Sequence, residues 1–273
     1  MAAWNGYAIS GLARTAGLLE DPSILADAAS AMDFVLDEMV DPSGRLHRVF
    51  NLGRATVPAF LDDHAALLDA CLDLYRAGAG EHFLTASLHF AHEIGDRFFD
   101  AESGELYFTA SDSEPLVHRP QSDHDGATPA AAGLAAVGLA RLAQLSELAP
   151  LATLVDRIIE GQAPVLQRSP HALPTLLRAV LLRSRGLSVA VVVGEADHPN
   201  TAALAHRARH ALLPDDAVVV LAPGAERPTG VSATWLAGRI PEEGSPTAWI
   251  CQGTRCSLPI TEPQKITPLS LEA

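Results

Sequence analysis

Residues 41–46 read DPSGRL, and residues 100–106 read DAESGEL. Each stretch follows a run of apolar residues at helical spacing. Gly44 and Gly104 are sixty residues apart, as are Leu46 and Leu106. Self-similarity at a fixed period marks stacked units, because one such unit cannot bury its apolar face alone. Working outward, the runs come in pairs: Trp4 to Leu19 with Ser23 to Val40, Pro58 to Arg76 with Glu81 to Phe99, and Thr128 to Leu145 with Leu151 to Leu166. A last run spans Pro170 to Arg185. Each unit therefore reads as helix, turn, helix, then a Gly-containing turn and an extended excursion. The excursions, LHRVFNLGRATV and LYFTASDSEPLVHRP, are expected to be β-hairpins or ordered loops.

The two helices of a pair differ in composition. The first is small and apolar nearly all round, as in GYAISGLARTAGLL and AAAGLAAVGLARLA, whereas the second carries a charged stripe, as in LADAASAMDFVLDEMVD. A helix apolar on every side is buried on every side, so the first helices are expected to form an inner ring and the second an outer one. The fold expected is mainly α: an α/α-hairpin toroid of the six-hairpin glycosidase type over residues 1–186. Three and a half pairs do not close a ring. Trp4 also lies three residues from Met1 in a buried-type helix with no capping signal before it, so the chain is either an open helical layer or, as expected here, one with a missing N-terminal segment.

From Gly186 onward the pattern changes. SVAVVVGE, TAALAHRARHALL and DAVVVLAPG read as strand, helix, strand with buried strands, and TAWICQGTRCSLPIT as a closing hairpin. These define a small α/β domain at 187–261, followed by a disordered tail at 262–273.

Thirty-three acidic against nineteen basic residues give a formal charge of −14, which repels phosphate backbones and anionic lipid. The HRARH stretch at 206–210 reads as a solvated helix face, so no nucleic-acid partner is expected. No run of eighteen apolar residues and no basic leader precedes the first helix, so neither a membrane span nor a signal peptide is indicated and a cytoplasmic protein is expected. The β-α-β stretch has one glycine in VVVGEADHPN, against nucleotide binding. No cofactor is expected.

Four stretches, AAWNGYAISGLA, PAFLDDHAAL, HDGATPAAAG and WICQGTRCSLPIT, in this order and at this spacing, resemble the C-terminal two-thirds of the DUF255 family, the thioredoxin-domain proteins typified by bacterial YyaL and by spermatogenesis-associated protein 20. The resemblance spans nearly the whole chain. It implies a helical part like the toroids of N-acylglucosamine 2-epimerases and several glycoside hydrolases, with the thioredoxin-like domain and first hairpins absent here. Such a domain is then an expected partner. This sequence has no C-x-x-C, so thioredoxin-type catalysis is not implied for it. Family members commonly carry Tyr after the Asp pair and Ser-Gly-Asn after DGATP. Here those positions are His64 and Ala130-Ala131-Ala132, which weakens any inherited activity.

Polar groups recur at the heads of the inner helices, at Asn5, at Asp63-His64 and at Asp125. Heads of inner helices line one mouth of a toroid, where Asp63 and Asp125, with His64, are the candidate acid and base toward a sugar ring. Asp near a helix start also serves simply as a cap. Asp62 is a candidate for positioning the ligand's hydroxyls beside Asp63, although it shares a helical face with Asp69 and Asp73 and so also reads as part of a polar stripe. Thr128-Pro129 is a good helix start, which would leave Asp125 free; Asp123 and His124 precede it. Asn5 could donate a hydrogen bond to a ligand and Trp4 could stack on a sugar face, though a core position suits Trp4 as well. On the excursions, His47, Arg48, Tyr107, His118 and Arg119 could form a lid. His89 and His92 lack a third ligand, so no metal is expected. Cys251 and Cys256 flank QGTR as a possible redox pair, expected to be buried and reduced.

Two functions follow as expectations. One is a carbohydrate-active enzyme, an epimerase, isomerase or hydrolase acting on a small sugar. The other is a noncatalytic ligand-binding or scaffold module with an exposed apolar edge near Trp4.

Overall fold

The computed structural model describes residues 1–122, 124–241 and 244–267. Its helical part is built from α1 (Ala2–Leu19), α2 (Pro22–Glu38), α3 (Leu61–Ala77), α4 (His82–Glu93), α5 (Ala131–Ser146), α6 (Ala149–Arg168) and α7 (Pro174–Arg185). Helices α1, α3, α5 and α7 pack side by side in that order, and α2, α4 and α6 each cover the first helix of their own pair. This is an arc of α/α hairpins, an incomplete toroid with an inner and an outer layer.

The small residues of the inner helices have a steric purpose. A Cβ on Gly6 of α1 would sit 2.9 Å from the backbone of Ala66 in α3, and one on Gly138 of α5 would sit 2.8 Å from Leu68 of α3. Only the lack of a side chain allows these helices to approach so closely. Every residue of α3 except Asp62 is buried, as expected of a helix with neighbours on all sides. The outer helices bury one stripe each, Ala28, Met32 and Val35 in α2 and Leu151, Val155, Ile158 and Gln162 in α6.

Helix α1 departs from the expectation for an inner helix. Trp4 is 64% exposed, Leu12 40% and Leu19 66%; with the exposed Ala8, Gly11, Thr15 and Leu18 they lie on one side of the helix. No described element covers that side. Trp4 is therefore not a core residue.

The first excursion forms the antiparallel hairpin of β1 (His47–Asn51) and β2 (Arg54–Pro58), turning at Leu52-Gly53. The second does not form a hairpin. Only β3 (Phe99–Asp100) and β4 (Glu105–Leu106) pair, across the Gly104 turn, and the chain then runs as an ordered loop to α5. The stretch around Ser111, Ser113 and Pro115 lacks the alternation that would give a strand one buried face.

Beyond α7, β5 (Ser188–Val193) leads through α8 (Pro199–Ala211) to β6 (Ala217–Leu221), which pairs parallel with it. After the short helix α9 (Ala233–Leu236), β7 (Thr247–Gln252) pairs antiparallel on the other side of β5, and β8 (Arg255–Cys256) closes the sheet order β6-β5-β7-β8. Alternation along β5 divides its side chains between two cores: Val189, Val191 and Val193 join the helical core, whereas Ala190 and Val192 pack with Leu204, Ala208 and Ile250. The segment expected as a tail after Thr261 continues as a 3-10 turn at Pro263–Lys265 and buries Ile266 fully in that second core. Residues 268–273 lie outside the described residues.

A buried ion network crosses the inner layer. Asp69 and Asp73 of α3 both receive hydrogen bonds from Arg141 of α5, the one to Asp73 at 2.8 Å. Arg14 of α1 donates to Asp73 at 2.7 Å, and Arg178 of α7 pairs with Asp215 beside them. Burial disfavours the charge on Asp73, but Arg141 and Arg14 more than offset this and hold its carboxyl below the ordinary range. Removing one member leaves a buried charge without a partner. Urea unfolding of Arg141→Leu is therefore expected to show a loss of about 3–5 kcal/mol, whereas a loss within the range of a surface substitution would mean that the network is dispensable.

Candidate functional site

The corner expected to carry chemistry is assembled from three elements. Asp62 and Asp63 open α3, Arg48 projects from β1, and the first turn of α1 lies against them. Arg48 donates from Nη1 to Asp62 Oδ1 at 2.7 Å and to Asp63 Oδ2 at 2.6 Å, and from Nη2 to Asp62 Oδ2 at 3.1 Å. The fork on Asp62 is the two-point geometry a guanidinium makes with a carboxylate. Asp62 therefore belongs to this corner and not to a stripe with Asp69 and Asp73.

Asp63 is fully buried. Its Oδ1 accepts the backbone N–H of Ala3 at 2.8 Å, and its Oδ2 accepts that of Phe60 at 3.0 Å. These are orphan donors at the starts of α1 and α3, which a carboxylate satisfies well. Burial, and then the neighbouring Asp62, raise its carboxyl pKa above the ordinary value. Tyr7, a residue that sequence reasoning passed over, shares the corner: burial and the two carboxylates push its phenol up to about 12.

His64 lines no open surface. It is fully buried, with Nδ1 3.0 Å from the Phe60 carbonyl, Nε2 without a hydrogen-bond partner among the described residues, and its ring centroid 4.9 Å from that of Phe98 and 6.2 Å from that of Phe90. Burial lowers its pKa to about 4.

Asp125 also differs from expectation. Its Oδ1 accepts the N–H of Ala130 at 2.6 Å, and its Oδ2 that of Thr175 at 2.7 Å. It thus ties the start of α5 to the start of α7, and Thr128 does not act as the cap that would free it. No described hydrogen bond or ion pair joins Asp125 to Asp63. Asp123 lies outside the described residues.

The other candidates are dispersed. Asn5 donates from Nδ2 to Met1 O within its own helix. Arg119 stacks on Tyr107, with its guanidinium carbon 4.2 Å from the ring centroid, and donates to Thr109 O. His118 is exposed. His47 Nδ1 is buried without a hydrogen-bond partner among the described residues. His89 Nε2 meets Gly44 O at 2.9 Å, which links α4 to the repeated turn. Among the described residues no cluster of three or more potential metal ligands occurs, and no helix is long and apolar enough to cross a membrane.

Cys251 and Cys256 face each other across the β7–β8 pair and are joined by a disulfide. The expectation of a buried reduced pair is thereby corrected: Cys251 is buried, but Cys256 is exposed at the hairpin tip. Arg239 Nη2 lies 2.7 Å from Cys256 Sγ and 3.3 Å from Cys251 Sγ.

Inner and outer hairpin layers, carboxylates at the inner heads and an appended α/β unit define the class: an α/α-hairpin arc of the incomplete-toroid type. Over nearly its whole length the chain is homologous to spermatogenesis-associated protein 20, of the DUF255/YyaL type. It is 27% identical to the Homo sapiens protein over 98% of this chain, but spans only 36% of that relative's length. An uncharacterized Caenorhabditis elegans protein, B0495.5, is 25% identical over 97% of this chain, which covers 37% of it. No family model matches the chain. Among solved structures, cellobiose 2-epimerase from Bacillus thermoamylovorans B4167 aligns with 68% of this chain and 44% of its own, at 12% identity and a TM-score of 0.38. A superposition so partial carries no weight on activity.

The buried imidazole gives a testable pH dependence. With a folded pKa of about 4 against 6.5 unfolded, the unfolded chain binds the proton first, so stability present above pH 6.5 drains away as pH falls toward 4. Relative to His64→Phe, the parent chain is expected to lose about 3 kcal/mol across that window in urea titrations. Parallel pH profiles would place a charged or solvated imidazole at this position.

Proposed function

We propose that this chain is a noncatalytic helical module that docks a further helical hairpin on α1 and binds a sugar-like polyhydroxylated ligand at the mouth so formed. The observation that carries the first half is the uncovered stripe of Trp4, Ala8, Gly11, Leu12, Thr15, Leu18 and Leu19. Its small residues match the kind of surface that α1 already offers to α3 through Gly6. The acid and base roles expected of Asp63 and Asp125 are disfavoured by their backbone N–H partners: a carboxylate already occupied at both oxygens has little capacity left to shuttle a proton.

The stripe is testable on the chain by itself. An apolar dye is expected to gain fluorescence on the parent chain, and Leu12→Glu with Leu19→Glu to remove most of that gain without lowering Tm, since both positions are exposed. Equal dye signals in parent and variant would put the accessible apolar surface elsewhere and remove the docking half.

Ligand binding is favoured by the Arg48–Asp62 fork. The side chains of Arg48 and Asp62 are 16% and 19% exposed, so the planar pair retains free edges of the kind that engage vicinal hydroxyls. Calorimetric titration with mono- and disaccharides is expected to show saturable binding that Asp62→Asn weakens about tenfold, as for loss of one charge-assisted hydrogen bond. Turnover of any of these sugars by the purified chain would overturn the noncatalytic reading.

A further inference from the structure

At the other end of α3, about 20 Å from Asp63 by the helical rise, the C-terminal ends of α1 and α3 face α8 and β6 across a cavity of about 530 Å³. That volume lies in the range of small-ligand sites. Leu25, Val218 and Val220 supply part of an apolar wall.

Two opposite charges line this cavity and do not neutralise each other. Arg209 of α8 donates from Nε to Arg76 O at 2.9 Å, and no described carboxylate pairs with it; burial alone lowers its pKa. The Glu81 side chain, at the start of α4, makes no hydrogen bond or ion pair among the described residues, and its charge is felt at Tyr75, whose phenol is raised by burial and then by Glu81. Glu20, by contrast, is already engaged by His206 Nε2 at 2.5 Å.

We infer that this cavity is a binding site for a small zwitterion of the α-amino-acid type, with its carboxylate at the Arg209 guanidinium and its ammonium at Glu81. An anion alone would satisfy Arg209 but meet the Glu81, Glu20 and Asp21 carboxylates that line the same space. An amine alone would leave the guanidinium unpaired. Only a ligand with both charges satisfies both walls. The apolar wall suits an aliphatic side chain on that ligand.

The test is calorimetric titration of the full chain with the common α-amino acids, each compared with the carboxylic acid lacking its amine and the amine lacking its carboxylate. At least one amino acid is expected to bind saturably, with the matched acid and amine each about tenfold weaker or more. Glu81→Gln, at an exposed position that the fold does not need, is expected to weaken the amino acid about tenfold while leaving Tm unchanged, and to bring the amino acid and its deaminated acid close to equal affinity. Arg209→Lys keeps the charge but loses the fork, and is expected to weaken the amino acid and the acid alike. Absence of binding by every amino acid, an acid that binds the parent chain as tightly as its amino acid, or unchanged affinity in Glu81→Gln would each overturn the assignment.

Discussion

Asp69 and Asp73, two acids one helical turn apart on a helix otherwise sealed from water, constrain the whole arc. Guanidinium groups reach them from both sides, Arg14 from α1 and Arg141 from α5. Arg178 of α7 and Asp215, just before β6, extend the same network, and Asp215 is held down at about 2 although burial works against its charge. The hydrophobic packing of glycine- and alanine-rich helices is permissive about sliding and rotation. Charges that must meet across three helix interfaces are not, so the network specifies the relative positions that apolar contact leaves free.

The inner heads follow the same logic with backbone donors. Asp63 joins the starts of α1 and α3, and Asp125 those of α5 and α7. Carboxylates that the sequence places at equivalent corners therefore act as staples between successive inner helices, and the polar recurrence that resembles an active-site ring is accounted for by the orphan N–H groups of helix N-termini.

The helical pairs, their inner and outer character and the β-α-β unit were legible because each rests on a period: 3.6 for the helices, sixty for the repeat, and a continuous β-branched run for the buried strands. The polar partners were less accessible. Asp62 sits at helical spacing from Asp69 and Asp73, so periodicity assigned it to their stripe; Arg48, fourteen residues upstream on a hairpin, claims it instead. A usable signal for the network was nevertheless present: Arg14 and Arg141 are lone cations in otherwise apolar helices, and Asp69 and Asp73 are the acids in the middle of a third. The fate of His64 could not be read from its Asp neighbours, because only the fold brings Phe90 and Phe98 around it. The same holds for the cavity at Arg209, whose walls come from four separated segments.

The division of β5 between two cores has a consequence for how the molecule comes apart. Val189, Val191 and Val193 are packed into the same apolar mass as α5 and α7, while their alternate neighbours are packed under α8. Separating the sheet from the helices would strip one face of a central strand and expose it to water, so neither part has an inexpensive way to open while the other stays folded. Heat should therefore be absorbed in one cooperative event rather than two, and a break in the chain between α7 and β5 would leave two pieces still held together by the shared core.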